Sequence, residues 1–166
     1  MSGKELSRQL RTGNSAALQR RRKISIFTLI SIGSMAFVSL YQLGIIKHLP
    51  EPPFPMMDAD KVDAASEAYE ILSMPDAVLG LGSYAVALGL AAMGPDNRTR
   101  TQPWIPLALA AKTLADSLAA GKLTVDQWTK HKAFCFWCLL AAATSIATLP
   151  LSIPEAREAW GRFRNS

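Results

Sequence analysis

The sequence predicts an all-α fold: an integral membrane four-helix bundle with an additional amphipathic surface helix on its outer side. Three observations carry that expectation. Of 166 residues, 49% are hydrophobic and only 19% charged, too apolar for an ordinary soluble domain of this length. The apolar residues gather in long uncharged runs. The basic residues gather in clusters that alternate with those runs, as they do in membrane proteins of fixed orientation.

Taken in order, residues 1–23 are polar and basic, with Ser2, Lys4, Ser7, Arg8, Arg11, Asn14 and Ser15 leading to Arg20, Arg21, Arg22 and Lys23. They read as a loose or partly helical tail. Ile24 to Ile46 follows as 23 residues without a charge, enough to cross a hydrocarbon core of about 30 Å at about 1.5 Å per residue. A signal peptide would have an apolar core of about 7–15 residues and a small-residue cleavage site. This run is longer and ends in Tyr41-Gln42-Leu43-Gly44-Ile45-Ile46-Lys47, so it reads as a retained anchor.

The prolines of Leu49-Pro50-Glu51-Pro52-Pro53-Phe54-Pro55 enforce an extended chain, because each removes a donor and restrains its predecessor. Asp58 or Asp60 can cap the segment beyond. There Val62, Ala65, Ala68 or Tyr69, and Leu72 recur at helical spacing and predict the amphipathic surface helix. Pro75 opens the second run, Ala77 to Met93, and Gly94-Pro95-Asp96-Asn97 is a turn. The third span, Ile105 to Leu118, follows Pro103 and carries Lys112 and Asp116 four residues apart, the spacing of a mutual ion pair. Residues 119–132 lead back to the last run, Ala133 to Ile153.

The net charge of +5 is a topology signal before it is a sign of nucleic-acid binding. Basic residues precede the first span, Arg98 and Arg100 lie between the second and third, and Arg157, Arg162 and Arg164 follow the fourth. Four spans put those three regions on one side, which the positive-inside rule makes cytoplasmic. The opposite side carries Glu51, Asp58, Asp60, Asp63, Glu67, Glu70 and Asp76. The expected organisation is a cytoplasmic tail at 1–23, a four-span domain at 24–153 and a second cytoplasmic tail at 154–166.

Cys135-Phe136-Trp137-Cys138 holds the only two cysteines, at the opening of the fourth run and on the outer, more oxidising side. Thiols at that spacing close a disulfide within one helical turn, and a helix N-terminus favours a thiolate there. Two buried, inert cysteines are the plain alternative. A metal site is another, since His131, Cys135 and Cys138 fall at i, i+4 and i+7. No fourth ligand accompanies them and no Cys-x-x-Cys-His is present, so no metal is assigned. Gly80, Gly82, Gly89 and Gly94 suit close helix packing or room for a flat ring.

The stretch from Ile71 to Tyr84, ILSMPDAVLGLGSY, together with a four-span order ending in Cys-x-x-Cys, resembles the vitamin K epoxide reductase family. The likeness covers roughly residues 24–150 and is strongest at the surface helix bearing Ser66, at Pro75 to Tyr84 and at the cysteine pair. It implies a bundle holding a quinone beside the dithiol and a bacterial inner-membrane location. It also implies electron transfer between that quinone and partner thiols, such as those of a periplasmic thioredoxin-like protein. Cys138 would then be the quinone-side cysteine and Cys135 the one that exchanges disulfides. Asp76, Gly80, Tyr84 and Ala142 would line the quinone. Three features depart from the family pattern. Residues 47–76 contain no shuttle cysteine pair, and Asp60 falls about where the second should be. Asp76 replaces a quinone-binding asparagine, and Ala142 stands roughly where a tyrosine is expected. Two functions follow: a quinone-linked thiol–disulfide oxidoreductase, or a non-catalytic accessory or ligand-binding subunit of a membrane complex built on the same scaffold.

Overall fold

The computed structural model describes residues 2–164, and they are helical almost throughout. The elements are α1 (Gly3–Thr12), α2 (Ala16–Gln42), α3 (Ala59–Asp63), a 3-10 turn (Ser66–Tyr69), α4 (Asp76–Ala92), α5 (Arg98–Thr101), α6 (Trp104–Asp126), a π-helical turn (Gln127–His131) and α7 (Phe136–Arg164). Among the described residues the only extended pairing is an isolated bridge between Met57 and Phe134.

Two helices, Ala16–Gln42 and Phe136–Arg162, are long and apolar enough to cross a membrane. The shorter α4 is apolar over 17 residues, and α6 carries the Lys112–Asp116 pair. α7 packs along both α2 and α6, and α4 packs on α2. Small side chains let these helices approach, with Ala77, Ala87, Ala91, Ala120 and Ala141 all buried. Hydroxyls then bridge the seams. Ser31 and Thr144 join α2 to α7 at 2.7 Å, and Thr113 and Ser152 join α6 to α7 at 2.9 Å. The expected Lys112–Asp116 pair forms and also recruits Ser83 of α4, whose hydroxyl accepts from Lys112 and donates to Asp116.

One end of the bundle is basic. The guanidinium of Arg98, fully buried, meets Glu155 through two nitrogens at 2.6 and 2.9 Å and also donates to the carbonyls of Leu90 and Met93. Arg21 donates to five consecutive carbonyls, from Ala91 to Pro95, where α4 runs out of intrahelical partners. Gly94 ends that helix at φ +82°, a conformation that side chains disfavour.

The two tails take on definite form, and one expectation, the continuous surface helix, changes. The polar N-terminal segment is helical: Ser2 and Glu5 form a capping box on α1, and Ser15 caps an α2 that begins well before Ile24. At the other end, α7 continues through Pro150 and Pro154 to Arg164, so residues 154–164 extend the last helix. Thr148 and Ser152 turn their hydroxyls back on preceding carbonyls, at Ser145 and Leu149, near the proline breaks. The amphipathic surface helix is split into α3 and the 3-10 turn, because Ala65 is extended at ψ 150°. Val62 and Ala68 are buried as the spacing predicted, whereas Leu72, at positive φ, is 79% exposed.

Candidate dithiol site

The π-helical turn ends at Lys132, whose left-handed backbone (φ 51°) swings the chain into Phe134 and Cys135. Cys135 lies just before the first turn of α7. Its sulfur accepts the backbone N–H of Cys138 at 3.3 Å, as the oxygen of a capping serine would. Its own N–H donates to the buried Gln127 side chain at 3.1 Å. Both thiols are free; Cys135 is fully buried and Cys138 half-buried.

A strap formed by residues 49–63 covers the pair. The Phe134 N–H donates to the Met56 carbonyl at 2.8 Å, and the Asp58 N–H donates to the Phe134 carbonyl at 2.9 Å. Trp137 donates from Nε1 to the Pro50 carbonyl at 2.8 Å while its ring stacks on Phe37 of α2 at 4.7 Å. Glu51 folds back to accept the Ala59 N–H. The strap therefore fixes α3 over the dithiol.

That placement brings Asp63, the last residue of α3, to the thiols. Cys138 donates from Sγ to Asp63 Oδ1 at 3.4 Å, and one atom each of Asp63, Cys135 and Cys138 lie within 4.8 Å of one another. His131 is not in this group, so the sequence-level metal alternative does not assemble. Asp63 is 3% exposed, and its Oδ2 is buried without a hydrogen-bond partner. Burial pushes its carboxyl up to about 6, against the two cysteine hydrogen bonds, with the charges of Asp76 and Glu51 adding to the rise.

Gln42, near the end of α2, ties the surrounding pieces. Its Nε2 donates to Asp76 Oδ1 at 2.7 Å and to the Asp63 carbonyl at 3.3 Å, and its Oε1 accepts the Ala77 N–H. The Asp76 carboxylate thus fastens the start of α4. Tyr84 packs with Leu81, Trp137 and Cys138 against the cluster that contains Met35, Ala77, Cys135 and Ala141. Ala142 is buried on α7 outside that cluster.

Asp60, the residue aligned with a shuttle cysteine, does not touch the thiols. Its carboxylate instead accepts from His48 and from the Leu49 N–H. Sequence reasoning passed over Asp63, Gln42 and Gln127. A glutamine inside an uncharged membrane run was the one available signal for Gln42.

Tyr84 carries a hydroxyl beside Cys138, and the buried Ser145 hydroxyl lies against it. Both suit a ring carbonyl. A Cβ at Gly80 would stand 3.2 Å from Met35 Sδ, so that glycine is occupied by packing, against a side chain able to shift. The donor set fits a quinone head group.

Residues 23–153 match the family model described as the Vitamin K epoxide reductase family, and the chain belongs to that family. Membership indicates a membrane protein with thiol–disulfide oxidoreductase activity in general, in a family whose members act with quinones and thioredoxin-like partners. No curated protein and no solved structure matches the chain.

Proposed function

From that membership we propose that this protein is a quinone-linked thiol–disulfide oxidoreductase whose reactive pair is Cys135 and Cys138. Its four long helices all span the bacterial inner membrane, residues 24–153 form the membrane domain, both termini are cytoplasmic, and the dithiol faces the periplasm. The observation that supports this best is that the chain's only two cysteines are free and meet at the mouth of α7 beside an apolar cluster.

A quinone held at the Cys138 side supplies a two-electron, two-proton acceptor. Tyr84 and Ser145 offer donors to its carbonyls, and Asp76 with Gln42 fixes the helix start above them. In the oxidised pair Cys135 is the sulfur that a partner thiol attacks to form a mixed disulfide, and when it leaves again as a thiolate the Cys138 N–H is placed to support it. The strap must lift for that exchange, because Cys135 has no exposed surface. With no loop cysteine in 47–76, the exchanging thiol comes from another polypeptide of thioredoxin-like type.

The test uses reduced, purified full-length protein mixed with a short-chain quinone, following closure of the Cys135–Cys138 disulfide. Oxidation well above that of a model dithiol, abolished in Cys138→Ser, is the expected result. Oxidation no faster than the model dithiol would sink the proposal. It would leave the accessory-subunit reading, which the complete burial of Cys135 favours.

A further inference from the structure

Asp63 is a buried carboxylate without a structural task for its side chain. Other acidic side chains hold structure, as Asp58 does by capping α3, Glu155 by pairing with Arg98 and Glu51 by accepting the Ala59 N–H, although Glu51 too keeps one buried oxygen without a partner. Among the described residues Asp63 joins no ion pair, and one of its oxygens faces no donor. Burying such a group opposes folding, and a chemical role accounts for its being kept there. Its other oxygen contacts the thiol of Cys138.

We propose that Asp63 is a catalytic residue of the dithiol, its carboxylate taking the Cys138 proton as the Cys135–Cys138 bond forms. The inference rests on the redox reading of the pair. Cys135 gives up its proton to solvent once the strap has opened, leaving a thiolate whose sulfur is bonded by the Cys138 N–H. As the S–S bond forms, the Cys138 S–H bond breaks and its proton passes to Asp63 Oδ1. The pair of electrons given up by the two sulfurs goes to a bound quinone, which leaves as the quinol. The two protons carried by the quinol equal the two lost by the thiols, and Asp63 resets by releasing its own.

The surroundings poise the group for this task. Glu51 of the strap and Asp76 of α4 face it with like charge, Tyr41 stands near from α2, and the two cysteines approach from α7. Burial and the two neighbouring acids favour the protonated form while the cysteine hydrogen bonds favour the carboxylate, and a carboxyl near 6 is ionised at neutral pH and basic enough to accept a proton. The family pattern puts a shuttle cysteine in this loop; here a carboxylate meets the pair instead.

The experiment compares wild type, Asp63→Asn and Asp63→Glu as full-length protein, with two readouts that this role moves in opposite directions. Quinone-driven disulfide formation at pH 7 should fall at least about tenfold in Asp63→Asn, within the range of a general base. It should recover as pH rises and hydroxide substitutes, and Asp63→Glu should restore part of it. Alkylation of Cys138 by iodoacetamide, with no quinone present, should instead become faster in Asp63→Asn, because a negative charge beside the thiolate has gone. Unchanged oxidation with an unchanged pH profile overturns the inference, and so does slowing of both readouts together, which marks a structural role. If quinone fails to oxidise even wild type, the quinone reading fails alone. Oxidation by oxidised glutathione then decides Asp63: a rate lowered in Asp63→Asn keeps the inference, and an equal rate ends it.

Discussion

At the basic end of the bundle the guanidinium of Arg98, fully buried, lies on Glu155 through two hydrogen bonds, and Arg21 covers the free carbonyls of α4. At the dithiol end Asp63 is almost as deeply buried, but one oxygen has no partner and the other faces a thiol. Both ends place charge where water is excluded. The basic end neutralises it and gains a fixed helix arrangement, whereas the dithiol end leaves it without a cation beside two free thiols. The contrast separates a charge that holds the fold from one that the fold must hold.

The largest expected effect breaks the basic end. Glu155→Ala leaves the Arg98 guanidinium buried and unpaired, a loss of about 3–5 kcal/mol. Thermal unfolding should move sharply down, while the oxidation rate per folded molecule stays at wild type. Replacing the pair together, Arg98→Met with Glu155→Leu, should cost much less. An oxidation rate that fell along with stability would show the two ends to be coupled.

The next effect has the opposite sign and lies at the dithiol end. Folded, Asp63 holds its proton up to about pH 6; unfolded, it lets go near its ordinary 3.8. Between those values the folded state binds more protons, so stability falls as pH rises through the window. Above it the full penalty, roughly 3 kcal/mol at about 1.4 kcal/mol per unit, is in place. Asp63→Asn should therefore raise the unfolding temperature at pH 8 and leave it unchanged below pH 4. Equal shifts at both pH values would mean that Asp63 is not the buried acid described.

The smallest effect concerns the strap. Trp137→Phe keeps the stack on Phe37 but loses the donor to Pro50, a hydrogen bond worth about 1 kcal/mol net. Alkylation of Cys135 should rise about fivefold with little change in unfolding temperature. No change would place the cover of Cys135 elsewhere.

Much of this was legible in the sequence. Uncharged runs located α2, α4 and α7, Pro75 marked the start of α4, and the Lys112–Asp116 spacing foretold their pair. The cysteines announced themselves by being the only two. Asp63 was not legible, because in a segment with Asp58 and Asp60 it looked like one more surface acid. Its burial depends on the chain breaking at Ala65 and on a strap pinned 76 to 87 residues away in sequence, by Phe134 and Trp137. Arg98 misled in the same manner. Its charge read as a marker of sidedness, and only the packing of α5 on α7 shows its partner. Periodicity finds helices, but long-range pairing decides which polar residues go inside.

The bridge between Met57 and Phe134 gives the dithiol a mechanical property. Phe134 is clasped through both its N–H and its carbonyl, and the next residue is Cys135. A pull on the proline-rich strap at the exposed Phe54 would load that clasp, one residue from the Cys135 sulfur. A small oxidant in solution has no handle on the strap and must wait for the clasp to open by itself.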